Sequence, residues 1–261
     1  MAPTLSVGSG LHAGRLSERA TLRDSLDLAR RELDSNPGIQ AYDLQKQKAL
    51  SLLSASGTAD AFDLKQESQT TRQRYGETVN GMSLLMARRL VQAGVPFVTV
   101  FWKYDEGLKD KCKSAGSWDT HGNNFNCLKG NLLPEFDRCY SALLEDLSQH
   151  NLLDDTLVVV NSEMGRKPKI GDPRSGGISG AGRDHWTACQ SVLLAGGGIR
   201  GGQVFGASDK FAEYPDQHPV TPSDIAKTIH HSMGIEEVIV EDNQGRPYDL
   251  LAEGKAIKEL F

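Results

Sequence analysis

The sequence predicts an α/β fold: a mostly parallel sheet with helices on both faces. Three observations carry that expectation. Runs rich in β-branched and aromatic residues recur at 96–102 (PFVTVFW), 156–160 (TLVVV) and 191–195 (SVLLA). Stretches with an apolar stripe of helical period lie between and around them. Strand-like runs that alternate with helix-like ones supply the crossovers a parallel sheet needs. A chain of 261 residues is long enough to bury a sizeable core. The expected layout is a helical region over residues 1–94, packing on the sheet, and an α/β region over residues 95–261, together one structural domain.

In chain order, residues 15–33 repeat Leu16, Leu22, Leu26 and Leu33 among charges, the pattern of an amphipathic helix. Asn36-Pro37-Gly38 breaks it, and a second helical stretch covers residues 39–55, ended by Gly57. A short polar segment begins at 61–64 (AFDL). Val79, Met82, Leu85, Met86 and Leu90 make a third apolar stripe, read as core packing, with Gly94 as its stop. Residues 96–102 then read as a buried strand, followed by a charged loop over 103–113. Leu132, Phe136, Leu143, Leu144 and Leu147 mark one side of a helix over 128–147. Two more buried strands follow at 156–160 and 191–195. The glycine-rich stretch 196–202 (GGGIRGG) lacks the order of a phosphate-binding loop and reads as a turn. Pro222 opens a last helix to Met233, with Thr221 or Ser223 as its cap.

Composition narrows the function classes. A net charge of −5 argues against non-specific nucleic-acid binding, which needs a basic footprint. No apolar run is long enough to span a bilayer, and residues 1–20 contain no signal-peptide core, so the chain as given is expected in the cytoplasm. The four cysteines, Cys112, Cys127, Cys139 and Cys189, are compatible with free thiols or with one or two disulfides. Mostly free thiols are expected, because a core of this size needs no staples.

The chemistry concentrates in three clusters. Residues 118–124 (WDTHGNN) offer Asp119 and His121, one residue apart and therefore on one face of an extended segment. Glu163 lies three residues past Val160, at a strand end, where open parallel sheets gather their ligands. Residues 182–186 (GRDHW) offer Asp184 and His185, either as two ligands or as one ligand with an orienting carboxylate. Carboxylates mixed with imidazoles suit a divalent metal. Asn123 and Asn124 add amide groups for the oxygens of a small anionic substrate, and Arg166 and Arg183 are placed to clamp an anion. A bland reading stands beside each: an Asx-turn with a surface histidine, a salt-bridged strand end. His12, His150 and His218 read as solvated or loop residues, and His230 and His231 as a helix end. The segment 171–182 (GDPRSGGISGAG) reads as a surface loop bordering the site.

These same residues carry a family resemblance. WDTHGNN, TLVVVNSEMGRKP, GRDHW, SVLLAGGGIRGGQVFGASD and HPVTPSDIAKTIHHSMGI closely resemble a bacterial family catalogued as a domain of unknown function (DUF1501), often labelled sulfatase-like. The resemblance covers nearly the whole chain. It implies an alkaline-phosphatase-like fold and metal-dependent hydrolysis of phosphate or sulfate esters, with zinc, calcium or magnesium as the divalent metal. By that analogy Glu163 stands where the superfamily has an aspartate ligand, Met164 stands at a histidine position, and His185 looks like a later histidine ligand. The resemblance also implies that this chain is the carboxyl-terminal portion of a longer, exported parent, lacking the first strands and the Ser or Thr nucleophile. Poor or no turnover of aryl phosphates and aryl sulfates by this chain alone is expected on that ground. The competing expectation is a non-catalytic metal-binding or assembly module. A small anionic ester is the expected partner, without nucleic acid or membrane, and a homo-oligomer is left open.

Overall fold

The computed structural model describes residues 13–31, 56–108, 112, 117–171 and 182–261. The expected helix over 39–55 and most of the glycine-rich loop over 171–182 lie outside the described residues. The described chain is mixed α and β. It divides into two compact units, Met1–Gln73 with Met82–Val100, and Arg74–Gly81 with Phe101–Phe261.

The helices are α1 (Ala13–Arg31), α2 (Ser56–Ala61), α3 (Gln69–Tyr75), α4 (Val79–Gln92), α5 (Asn124–Cys127), α6 (Leu133–Gln149) and α7 (Pro222–Ser232). Helix α4 is where the sequence places it, with Gly94 just past its end at φ +85°. Of the expected core stripe, however, only Leu85 is fully out of solvent; Met82, Met86 and Leu90 are half-buried, and Val79 is exposed by 66%. In the first unit, α4 sends Arg88 and Arg89 to Glu67, at 2.7 and 2.5 Å. Arg89 also donates to the carbonyl oxygens of Asp60 and Ala61 at the end of α2. Burial raises the Glu67 pKa, but hydrogen bonds from Arg89 and Arg88 and their charges outweigh it and leave the carboxyl below its ordinary value.

In the second unit, α6 buries Cys139, Ala142, Leu143, Asp146 and Leu147, a stripe at helical spacing. The buried Asp146 accepts a hydrogen bond at 3.0 Å from the hydroxyl of Tyr75, itself 1% exposed. A single turn of π-helix, Leu128–Leu132, joins α5 to α6. The cap of α7 resolves to Thr221, which forms a reciprocal capping box with Asp224. Gly196, Gly197 and Gly198 all have positive φ, and a side chain at Gly196 would meet the carbonyl oxygens of Thr156 and Leu153 at 2.4 and 2.5 Å. The stretch 196–202 is a turn, as its sequence indicates, with Gly196 and Gly197 packed against the backbone of residues 153–157.

The strands depart from expectation. They are β1 (Val158–Val160), β2 (Gly165–Arg166), β3 (His185–Trp186), β4 (Leu193–Ala195), β5 (Ala207–Ser208), β6 (Pro215–Gln217), β7 (Ile239–Glu241) and β8 (Pro247–Asp249). Among the described residues they pair antiparallel, two by two: β1 with β4, β2 with β3, β5 with β6, β7 with β8. The expected partners β1 and β4 do adjoin, with Val158 opposite Ala195 and Val160 opposite Leu193, but in the opposite sense. A parallel pair needs a crossover, usually a helix. Residues 161–190, rich in Gly, Pro and charge, have no apolar period from which to build one.

Residues 96–102 form no ladder among the described residues, although they alternate as a strand would. Val98, Val100 and Trp102 are half-buried, while Phe97 and Phe101 are exposed, Phe101 by 86%. Just beyond, the amide of Asn80 accepts from the backbone N–H of Lys103 at 2.8 Å and donates to its carbonyl at 3.0 Å, doing the work of a ladder partner at one residue. Trp102 packs edge-on to Trp118 at 5.8 Å, and both meet Phe136 of α6.

Candidate metal centre

Trp118 ends that aromatic group, and Asp119 follows it directly. Three side chains from two distant segments converge here. Asp119 Oδ1 lies 2.7 Å from His185 Nε2 and 3.0 Å from His121 Nε2. The two Nε2 atoms are 3.2 Å apart. These edges approach the edge of about 3.3 Å of a tetrahedron built on a zinc–nitrogen bond of about 2.0 Å. The three residues form a group of metal-ligand type and are half-buried to exposed, so the open side faces solvent.

Protonation sharpens the fit. His121 Nδ1 lies 3.0 Å from Asp184 Oδ1. An ionised carboxylate only accepts, so Nδ1 carries the proton and donates it to Asp184. That leaves the Nε2 lone pair of a neutral His121 facing the Asp119 carboxylate, two acceptors toward one point. A second proton on the ring or a metal cation resolves the clash, and the imidazole–carboxylate donor set suits the metal. Burial raises the Asp119 pKa. Hydrogen bonds from Arg166 and His185 and the charge of Arg166 outweigh that and bring it down to about 2, so Asp119 stays a carboxylate.

The local sequence builds this arrangement from loops. β2 and β3 place Arg166 opposite His185. Arg166 donates to Asp119 Oδ1 at 2.6 Å and to the carbonyls of Trp118 and Arg183 at 3.1 and 3.3 Å. Arg183 donates to the carbonyls of Lys167 and Arg166 at 2.7 and 3.1 Å. The two arginines thus clip the GRDHW segment to its neighbours. Gly182 makes the approach possible: a Cβ there would lie 1.6 Å from the carbonyl oxygen of His121. Gly165 does the same for β2, where a Cβ would lie 2.0 Å from the carbonyl oxygen of Cys189.

The structure therefore brings Asp119, His121, His185, Asp184 and Arg166 together. Asp184 faces Nδ1 of His121, on the side of the ring away from Asp119 and His185. Glu163 is exposed and stands outside the three-residue group. Asn123 caps α5 in a left-handed conformation, with its side-chain oxygen accepting from Asn126 at 2.9 Å. Asn124 is wholly buried and accepts from the Thr120 hydroxyl, fixing the residue between Asp119 and His121. His230 and His231 close α7 as expected, His231 meeting Glu236 at 2.8 Å.

Residue types alone gave no sign of the role of Thr120 or of one covalent bond. Cys112 and Cys127 form a disulfide with Cα atoms 4.8 Å apart, while Cys139 and Cys189 are free. The expectation of mostly free thiols is corrected for this pair, which the spacing of cysteines could not single out. Cys139 is inert, its thiol pushed up to about 11 by burial and the nearby Glu135 charge.

With this geometry in hand, comparison with known proteins adds one finding. A family model described as a protein of unknown function (DUF1501) matches residues 2–261. No curated protein matches, and no solved structure does.

Proposed function

Since the chain belongs to the DUF1501 family, whose description leaves its chemistry open, we propose that it is a metal-dependent phosphate- or sulfate-ester hydrolase of the alkaline phosphatase and sulfatase type. The observation that carries the reading is the convergence of Asp119, His121 and His185 on one point from segments more than sixty residues apart. These three would hold a divalent cation, and the two imidazoles favour zinc over calcium or magnesium. The cation would supply Lewis-acid polarisation of a phosphoryl or sulfuryl oxygen. Asp184 keeps the proton of His121 on Nδ1 and so keeps Nε2 free for the cation. Arg166 places a guanidinium beside the site and gives the rim a positive charge that draws a small anionic ester. The superfamily-like parallel sheet belongs to this proposal and not to the described strands.

The buried Cys112–Cys127 disulfide supports a place in an oxidising compartment. Among the described residues, no helix is long and apolar enough to cross a membrane.

One observation favours a second reading, a non-catalytic metal-binding or assembly module: both arginines already donate to backbone carbonyls, and Arg166 also to Asp119. A single experiment separates the two. Zinc binding is measured by calorimetry, and turnover of aryl phosphate and aryl sulfate is measured on the same samples. Wild type, Asp119→Ala, His185→Ala and Asp184→Asn are compared, with Glu163→Ala to report whether that carboxylate adds a ligand. Zinc-dependent turnover that disappears with Asp119 or His185 supports the hydrolase. Stoichiometric zinc without turnover supports the module, and no zinc binding by wild type sinks both.

A further inference from the structure

We propose that the Cys112–Cys127 disulfide is the frame of the metal centre, closing a covalent ring that holds Asp119 and His121 in place for the cation. This rests on the metal-centre reading and assigns the two cysteines a positioning role. Cys112 and Cys127 are 15 residues apart in sequence, and Asp119, Thr120 and His121 all lie between them. Both sulfurs are wholly buried in an apolar cluster with Leu132, against which Leu108, Trp118 and Leu128 pack.

The two arms from that cluster to the ligands are short. On one side Trp118 belongs to the cluster and Asp119 is the next residue. On the other side α5 ends at Cys127 and begins three residues after His121. Between the arms the chain has neither helix nor ladder. Its internal backbone bonds are turn contacts, Thr120 N–H to Trp118 O at 2.9 Å and His121 N–H to Asp119 O at 3.0 Å. The Thr120 hydroxyl on Asn124 adds a side-chain bond within the same ring. Outside help comes from Arg166 on the Asp119 carboxylate at 2.6 Å and on the Trp118 carbonyl, from Asp184 facing His121 Nδ1 at 3.0 Å, and from the Arg183 N–H on the Thr120 carbonyl at 3.3 Å.

His185 is held differently. It sits on β3, paired with β2, outside the ring. Opening the ring would therefore loosen two of the three ligands and leave the third where it is. Ligands held in register before the cation arrives bind it more tightly, because the cost of ordering them is already met. That asymmetry separates a frame from a bond that merely stabilises the fold.

The test compares oxidised wild type with Cys112→Ala/Cys127→Ala, using zinc alone as the ligand and Cys189→Ala as a control. Removing both thiols keeps them from acting as ligands themselves. Calorimetry is expected to show zinc affinity reduced at least about tenfold in the double variant, the scale of lost support around a metal site, with Cys189→Ala unchanged. Far-UV circular dichroism should match that of wild type. In imidazole 1H–15N spectra, zinc should shift both His121 and His185 in wild type but only His185 in the double variant. If the alanine pair does not fold, Cys112→Val/Cys127→Ala refills the apolar cluster and takes its place. Zinc affinity within about threefold of wild type, with both imidazoles still shifted, overturns the frame while leaving the metal centre standing. Absence of zinc binding by oxidised wild type overturns the metal centre and the frame with it.

Discussion

Gly182→Ala should remove metal binding without touching a ligand. Gly182 is not among the positive-φ glycines, so alanine can adopt its backbone conformation. The glycine is required for space alone. An alanine Cβ would lie 1.6 Å from the carbonyl oxygen of His121 and 2.6 Å from its carbon. Restoring a contact of about 3.0 Å to that oxygen, near the closest approach at which dispersion turns repulsive, demands a separation of about 1.4 Å between two backbones. His121 would move on one side, and Asp184 and His185, two and three residues on, would move on the other. Functional constellations tolerate about 0.5 Å, and the ligand triangle has edges of only 2.7, 3.0 and 3.2 Å. Zinc affinity should fall by about 100-fold or more, beyond the usual effect of a single supporting residue. Calorimetric titration reads this directly. Gly201→Ala, where nothing lies within 4 Å of the added carbon, is the control. Zinc affinity of Gly182→Ala within about threefold of wild type would refute the claim that the close approach of the two loops sets the site.

Two further outcomes concern the first unit. The folded Glu67 has a pKa below its ordinary value of 4.5, so its pairing with Arg88 and Arg89 contributes stability above that pH and loses it as pH falls through the folded value. Thermal melts from pH 6 to pH 3 should show a drop below about pH 4.5 that is smaller in Glu67→Gln; identical pH profiles would contradict it. Leu85→Ala deletes a side chain with no exposure and should cost about 2–5 kcal/mol, read by urea unfolding, whereas a cost under about 1 kcal/mol would mean that the site collapses around the smaller residue.

How much was legible in the sequence follows from which physics each feature obeys. Helices declare themselves because a 3.6-residue period is local, and the stripes of α4 and α6 needed no partner to be read. Strand content was legible at 158–160 and 193–195 for the same reason, but the direction of pairing was not. Direction depends on what joins two strands, and only the lack of an apolar period in 161–190 argued against a crossover helix. At residues 96–102 composition favours extended backbone, yet a ladder also requires a second chain segment, which composition cannot supply.

The site divides along the same line. Asp119, His121 and His185 were singled out because carboxylate and imidazole together suit a metal, and the structure does bring the three side chains to one point. The roles of Asp184, Arg166 and Arg183 depended on which atom faces which, and three dimensions decided them: Asp184 turned to the far side of the His121 ring, and the arginines turned to carbonyls. Gly182 and the Cys112–Cys127 bond were least visible of all, since a glycine used for space and a cysteine used as a tie look in sequence like any others. Yet both act on the same short loop, one by letting GRDHW reach it and the other by fixing its ends. Only His185 and Arg166 stand on a strand pair, and a two-residue ladder lends the Asp119–His121 loop little rigidity, so its precision must come from such close approaches and ties. Substitutions that never touch a ligand should therefore weaken this site as severely as loss of a ligand itself.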